Sequence, residues 1–298
     1  MVKRRLLITG SAGFIGSSLR KMIDETKFEV IGLDKVASNP GDLSLDLRDN
    51  RIIDFIASYR PEVIIHLAAQ IDVSKSFEDP EEDLMVNSLG TLRLIKSGIT
   101  SGCKNFIYIA SGGAVYGAPE NLPSLESERD SPLSPYGISK NVGEQYLRVL
   151  ASRTEMQWTS LALSNCYGNF ESHRRGVIYE FWKSLTKGTN PVIYGPDNTR
   201  DFVNVDDVIS AILLSISCPT NQRVNISSNT ETSLMELFLK MKNLTKSNVD
   251  PILMPAKNGD VARSCLDNKL ARQLLGWQPT IALDEGLSSI LNKSRISG

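Results

Sequence analysis

The stretch Leu6-Leu7-Ile8-Thr9-Gly10-Ser11-Ala12-Gly13-Phe14-Ile15-Gly16 decides the fold. A short apolar run breaks at Thr9-Gly10, passes three glycines and continues into a helix-like stretch over residues 14–25. Glycines here allow a tight turn and let bare backbone approach a pyrophosphate at the helix N-terminus. The spacing is Gly-x-x-Gly-x-x-Gly, not the commoner Gly-x-Gly-x-x-Gly, and many glycine-rich turns bind nothing. Context strengthens it. The next apolar run, residues 29–33, ends at Asp34, 18 residues after Gly16. A carboxylate there can bond both ribose hydroxyls of an adenosine and repels a 2′-phosphate, which favours NAD over NADP. Lys35 beside it softens that preference.

The same rhythm fills the first 165 residues. Strand-like runs at 5–9, 29–33, 63–67, 106–110 and 159–163 alternate with helix-like stretches such as 14–25, 80–101 and 135–152. Runs apolar on both faces and separated by helices predict a parallel sheet covered on both sides, hence a doubly wound α/β fold. The helix beginning at Pro80 carries Asp79 as N-cap and three acids, Glu81, Glu82 and Asp83, that suit the helix dipole. After Asn165 proline, glycine and asparagine punctuate the chain. The repeat resumes with a helix near 206–217 and a strand at 223–227, followed by helices at 233–245 and 268–275. The expected division is a nucleotide-binding domain over 1–165, rejoined by 204–227, and a smaller, mostly C-terminal substrate lobe over 166–203 and 228–298.

Composition excludes several classes. Of 298 residues, 41% are hydrophobic and 22% charged, with 33 Lys plus Arg against 34 Asp plus Glu for a net charge of −1. Such a chain offers no strong attraction to nucleic acid or anionic membrane. Its longest nearly apolar run, residues 63–69, falls far short of the roughly 18 residues of a membrane span. The basic start, Lys3-Arg4-Arg5, leads into a first strand and not a signal peptide. The four cysteines (Cys103, Cys166, Cys218, Cys265) lie far apart and histidines number 2, so neither a metal site nor a disulfide framework is expected. A soluble, reduced, cytoplasmic protein is expected.

Tyr136-Gly137-Ile138-Ser139-Lys140 lies early in a predicted helix. Residues four apart share a helix face, so the Tyr136 phenol and Lys140 ammonium can be neighbours. An adjacent cation stabilises phenolate and would lower the phenol pKa from about 10 towards a general-base range. The spacing alone is poor evidence, since Tyr179–Lys183 repeats it; Tyr179 is set aside because it falls after the alternating repeat has ended. A third partner is expected from the strand that runs into Ser111-Gly112-Gly113-Ala114-Val115-Tyr116-Gly117, where Ser111 is the only hydroxyl at the strand end. The next strand-like segment after Asp34 carries Asp46-Leu47. His66, inside an apolar run, reads as a buried core histidine, and Leu67-Ala68-Ala69 leave room for a cofactor across the sheet edge.

With these residues in hand, the chain resembles the extended short-chain dehydrogenase/reductase family, in particular its nucleotide-sugar epimerases and dehydratases related to UDP-glucose 4-epimerase. The resemblance spans almost the whole chain and implies a Rossmann sheet. Gly10, Gly13, Phe14, Ile15 and Gly16 match the family's glycine turn, Asp34 its ribose carboxylate, and Asp46-Leu47 its adenine contact. His66-Leu67-Ala68-Ala69 is similar to the segment beneath the cofactor, and Asn87 with Gly90-Thr91 to the helix that follows. Val115-Tyr116-Gly117, Ser134-Pro135-Tyr136 and Lys140 match the catalytic stretch. Asn165 resembles the family's diphosphate-binding asparagine and Arg200 its diphosphate clamp. Asp260, Leu274-Leu275-Gly276-Trp277 and Asp284-Glu285-Gly286-Leu287 resemble its C-terminal pattern.

Three departures accompany the match. The family usually carries its catalytic Ser or Thr at the position of Gly112; either Ser111 serves through an altered turn, or the hydroxyl's share of polarisation is missing. Ala162 stands where arginine is frequent. Lys257 replaces a phosphate-binding arginine, keeping charge but losing bidentate geometry.

The resemblance implies NAD-dependent epimerisation at C4 of a UDP- or dTDP-hexose, with Tyr136, Lys140 and Ser111 at the reacting hydroxyl. It implies Asn165, Arg200, Lys257 and Asp260 on the substrate, with Ser264 small enough to admit an N-acetyl group. A 4-keto-6-deoxy-sugar reductase using exchangeable NAD(P)H, and a catalytically silent NAD-binding protein, stay as alternatives. Dehydration is disfavoured because Gly112-Gly113-Ala114 lacks an acidic pair. The family likeness also implies a homodimer through the helices at 80–101 and 135–152. His173-Arg174-Arg175 reads as a solvated basic run rather than a substrate lid.

Overall fold

A computed structural model describes residues 2–37, 39–168, 176–256 and 260–296, with side chains to 291. Its main sheet begins with β1 (Arg4–Thr9), β2 (Phe28–Asp34), β3 (Leu43–Ser44), β4 (Val63–His66), β5 (Asn105–Ser111) and β6 (Gln157–Leu163). These lie side by side in the order 3-2-1-4-5-6, all parallel. Beyond them β7 (Asn165–Tyr167), β8 (Val192–Tyr194) and β9 (Thr199–Asn204) stand outside the sheet. The chain then returns as β10 (Arg223–Ile226), parallel to β6 with Val224 opposite Leu161.

Alternation within the strands builds two cores. In β1, Leu6 and Ile8 point into one cluster with Leu19, Ile109, Val208 and Ile212. Leu7, between them, points into the other with Ile52, Ile64, Leu94 and Phe106. A strand apolar on both faces belongs in the middle of a sheet covered twice, which is what the uninterrupted runs demanded. Outside the sheet, β9 pairs parallel with β7 and antiparallel with β11 (Glu231–Ser233), while β8 pairs parallel with β12 (Ile252–Met254). A third core there joins Tyr167, Phe181, Phe202, Phe238 and Leu287.

The chain moves from β1 to β2 and β3 on one side and then crosses to β4 on the other. That reversal opens a crevice at the carboxyl ends of β1 and β4, where ligands of such sheets settle.

Several expectations are corrected. Asp46 and Leu47 follow β3, which ends at Ser44, because this edge strand pairs only through Leu33–Leu43 and Asp34–Ser44. The helix expected over 80–101 is an α-helix at Pro80–Leu84, a π-helical segment at Met85–Gly90 and an α-helix at Thr91–Ser101. Ser111 is followed by a short helix, Gly112–Tyr116, not a turn. An unexpected last helix covers Leu283–Ile296. Among the described residues no helix is long and apolar enough to cross a membrane.

Candidate active site

The glycine turn is shaped by the protein's own backbone at two points. Gly10 has φ +72°, and a Cβ there would stand 2.6 Å from Ala68 N; one on Gly16 would stand 2.1 Å from Gly10 O. Gly13 is different: its Cβ would approach only Gly10 O, at 3.2 Å, and it faces the crevice. The helix Phe14–Met22 starts with no side-chain cap and no acid in its first turn, and the positive end of its dipole favours an anion there.

Asp34 closes this end. Its Oδ2 accepts from Ala12 N at 3.0 Å and its Oδ1 from Lys35 N at 2.7 Å, so one carboxylate steadies the turn while lining the cleft. The Lys35 ammonium is turned to Asp46, 3.3 Å away. Arg48 grips Asp46 through Nε and Nη2 at 2.9 and 2.7 Å, which holds that carboxyl well below its usual range.

At the other end, Ser134 caps the helix Pro135–Ala151 by accepting from Gly137 N at 3.1 Å. Tyr108 Oη donates to Lys140 O at 2.9 Å, which seats the helix on β5. Tyr136 and Lys140 are both buried, and Lys140 Nζ sits 4.2 Å from the Tyr108 ring centroid. Burial pushes the Tyr136 phenol up to about 12, with Ser111 hydrogen bonding pulling against it and Asp83 adding to the rise. This reverses the expected direction. Spacing placed the lysine beside the tyrosine but carried no information on desolvation, which also lowers Lys140 to about 7 and thins the charge it offers near neutrality.

One cleft of about 1280 Å³ connects both ends. The glycine turn with Phe14 and Ile15, then Asp34, Lys35, Asp46, Leu47, Leu67, Ala68 and Ala69 line one end. Ser111, Tyr136 and Lys140 line its middle, and Asn165, Arg200, Asp260 and Ser264 the far wall. Alternation along β9 turns Arg200 to the cleft and its neighbour Asp201 into the scaffold, where Asp201 accepts from Ser228 N at 2.8 Å and Asn229 N at 3.1 Å. Arg200 Nη1 donates to the carbonyls of Thr199 and Val261 at 2.8 and 2.7 Å.

Not every predicted residue reaches the cleft. Asn87 is buried behind its wall: its Oδ1 accepts from Gln70 N at 2.9 Å and its Nδ2 donates to Gln70 O at 2.9 Å. Its amide shapes the segment after β4, and Asn87, expected as a coenzyme contact, is not among the residues that line the cleft. Lys257 and His173-Arg174-Arg175 lie outside the described residues. His66 is a core residue, with Thr9 and Thr91 hydroxyls 2.7 and 2.8 Å from its ring nitrogens. Gln70, Lys75 and Ser164 also line the cleft, with no local pattern to mark them, and Glu82, which reads in the sequence only as a first-turn acid, joins them.

The model of the NAD-dependent epimerase/dehydratase family matches residues 6–227. The chain belongs to that family. UDP-glucose 4-epimerase of Mycolicibacterium smegmatis is 35% identical over 98% of this chain and 100% of its own length. Among solved structures, UDP-glucose 4-epimerase of Thermotoga maritima with UDP-glucose has TM-score 0.93 and 34% identity, covering 98% of this chain and 99% of that one. UDP-glucose 4-epimerase of Thermus thermophilus in complex with NAD has TM-score 0.90 and 30% identity, with 98% and 99% covered. The chain is thus an enzyme of a family that works with NAD, and its residues fit that coenzyme: Gly13 bare toward the cleft, a helix start with no side-chain cap beyond it, and the Asp34 carboxylate lining the cleft at the end of β2.

Proposed function

We propose that the enzyme epimerises C4 of a hexose activated by UDP or dTDP, through a transient 4-keto sugar. The observation that carries this reading is one continuous cleft with the glycine turn and Asp34 at one end, Ser111, Tyr136 and Lys140 midway, and Arg200 with Asn165 across from them. Main-sheet segments 1–165 and 204–227 would carry the coenzyme, and segments 166–203 and 228–298 the sugar nucleotide.

NAD, when bound, supplies a reversible hydride acceptor. The chain does the rest. In its phenolate form Tyr136 takes the proton of the 4-hydroxyl and returns one on reduction, and the Ser111 hydroxyl, by donating to the Tyr136 oxygen, favours that anionic form against the effect of burial. Lys140, buried beneath, contributes positive charge when protonated. Arg200 and Asn165 hold the diphosphate so that the sugar can turn about it, and the two carbonyls on Arg200 Nη1 leave its other nitrogens for phosphate oxygens. Family likeness also assigns Lys257 and Asp260 to substrate binding.

Purified enzyme with retained NAD should interconvert UDP-glucose and its C4 epimer with no net change in nicotinamide absorbance. Tyr136→Phe should lower kcat by about 10²–10⁴ while nicotinamide binding persists. Stoichiometric reduction of a 4-keto sugar by added NADH, without epimerisation, would instead mark a reductase. We also propose a homodimer, supported by exposed Leu84, Met85 and Leu89 on one helical stretch and Ile138, Tyr146 and Val149 on another. A monomer by light scattering at micromolar concentration would refute it.

A further inference from the structure

By sequence Asp83 is one of three acids favourable to a helix dipole, yet it is turned inward and only 1% exposed. Its Oδ1 accepts from Gln70 Nε2 at 2.9 Å and from Asn87 Nδ2 at 3.0 Å, and its Oδ2 accepts from Ser139 Oγ. These donors stand on three different elements. Gln70 lines the cleft after β4, Asn87 belongs to the π-helical segment Met85–Gly90, and Ser139 lies between Tyr136 and Lys140, its Oγ 3.0 Å from the Tyr136 carbonyl. A second bond, from Ser88 Oγ to Ser139 O at 3.0 Å, fastens the same pair of helices. An inserted residue in a helix is costly unless something uses it. Here it brings Asn87 round to Gln70.

All three donors to Asp83 are neutral. The other carboxylate near Lys140 is Glu144, one turn along the same helix, and it is already committed: it pairs with Arg223 Nε at 2.8 Å and accepts from Ser160 Oγ at 2.7 Å. The remaining neighbours of Lys140 carry no negative charge at neutral pH. Tyr108 lies under the ammonium, Tyr136 is protonated, and His66 on β4 is held neutral by burial and by Lys140 itself.

We infer that Asp83 is a positioning residue for the reaction: its carboxylate ties the Tyr136–Lys140 turn to the cleft wall at Gln70 and serves Lys140 as a buried counter-charge. The two functions use one carboxylate, whose oxygens are fixed in place by Gln70, Asn87 and Ser139, and a fixed charge in the interior acts on its neighbours more strongly than one in water. Burial sets the lowered Lys140 titration, Glu144 opposes it most, and Asp83 opposes it next; but the Glu144 contribution is shared with Arg223, whereas that of Asp83 is not.

The inference rests on reading Tyr136 and Lys140 as the proton-handling pair, and its test needs no sugar. The enzyme is labelled with 13C and 15N at lysine side chains, Lys140 is assigned through Lys140→Arg, and its signal is followed against pH. The wild-type midpoint is expected near 7. In Asp83→Asn it should fall by about one unit, the size expected when a nearby opposite charge is removed. In Ser139→Ala, which deletes a donor but keeps the charge, it should stay within a few tenths of a unit, well under the one-unit effect of a lost charge. An unmoved midpoint in Asp83→Asn overturns the proposal, even if that variant is less stable. Should Asp83→Asn not fold, the wild-type carboxyl signal of Asp83 decides: an inflection at the Lys140 midpoint supports the pairing, and its absence, or protonation of Asp83 itself near neutrality, refutes it. Missing epimerase activity would leave this titration readable, so the two readings fail separately.

Discussion

Gly112 and Leu266 are packed so closely that a Cβ on the glycine would stand 2.4 Å from the leucine Cδ1 and 3.3 Å from its Cγ. The hydroxyl that the family usually carries at this position therefore has no room here. Leu266 cannot retreat as a unit, because its N–H bonds Asp201 Oδ2 at 3.3 Å and its carbonyl accepts from Ser227 Oγ at 2.8 Å. Gly112→Ser should destabilise the fold by about 1–3 kcal/mol, the usual cost of overpacking a core. Denaturant unfolding measures it, and Leu266→Val in the same chain should recover part of the loss. Unchanged stability in the single variant would contradict the packing.

Ser111 then carries the hydroxyl function in our reading, since it lines the cleft and its hydrogen bonding lowers the Tyr136 pKa against the rise from burial. Removing that bond must move the phenol further up. Ser111→Ala should reduce kcat by about tenfold or more at neutral pH and shift the rising limb of its pH profile to higher pH. A rate loss with an unmoved limb would mean that Ser111 touches the substrate alone.

Much of this architecture could be read from residues because the controlling constraints are local. Gly10 answers to the positive φ of its own turn and Gly16 to a carbonyl six residues back, and β1 is buried on both faces, so turn and sheet were both legible. What escaped depends on distant partners. The π-helical residues 85–90 keep a helical pattern of side chains, and only Asn87 bonding Gln70, 17 residues away, shows why the register widens. Asp83 has the look of a first-turn acid, and only Ser139, 56 residues on, donating to it reveals otherwise. The phenol pKa failed for the same reason: helical spacing identifies neighbours, whereas desolvation is a property of the assembled core.

Asp34 bears on coenzyme choice. Its two oxygens accept from Ala12 N and Lys35 N, and Lys35 is drawn to Asp46 instead of standing free for a 2′-phosphate. Binding followed by nicotinamide fluorescence should favour NADH over NADPH by at least about tenfold, a difference of roughly 1.4 kcal/mol. Asp34→Asn should narrow that ratio by weakening NADH and relieving repulsion of NADPH. Equal affinities in the wild type would remove the ribose role from Asp34.

Lys140 links the site to stability through pH. Burial lowers it from 10.5 to about 7, so between those values the unfolded chain binds a proton that the folded chain does not. Stability must then rise with pH across that window, by up to about 1.4 kcal/mol per unit from this one group; the penalty is full below 7 and fades toward 10.5. Buried thiols act in the opposite sense from about 9 upward, since Cys103 is raised to about 12 by burial. The difference between wild type and Lys140→Met cancels such shared contributions. Unfolding free energies from about pH 7 to 9 should climb in the wild type relative to Lys140→Met, which lacks the proton altogether. Parallel curves for the two proteins would show that Lys140 titrates normally, and would return the charge beside Tyr136 to the full ammonium that helical spacing alone suggested.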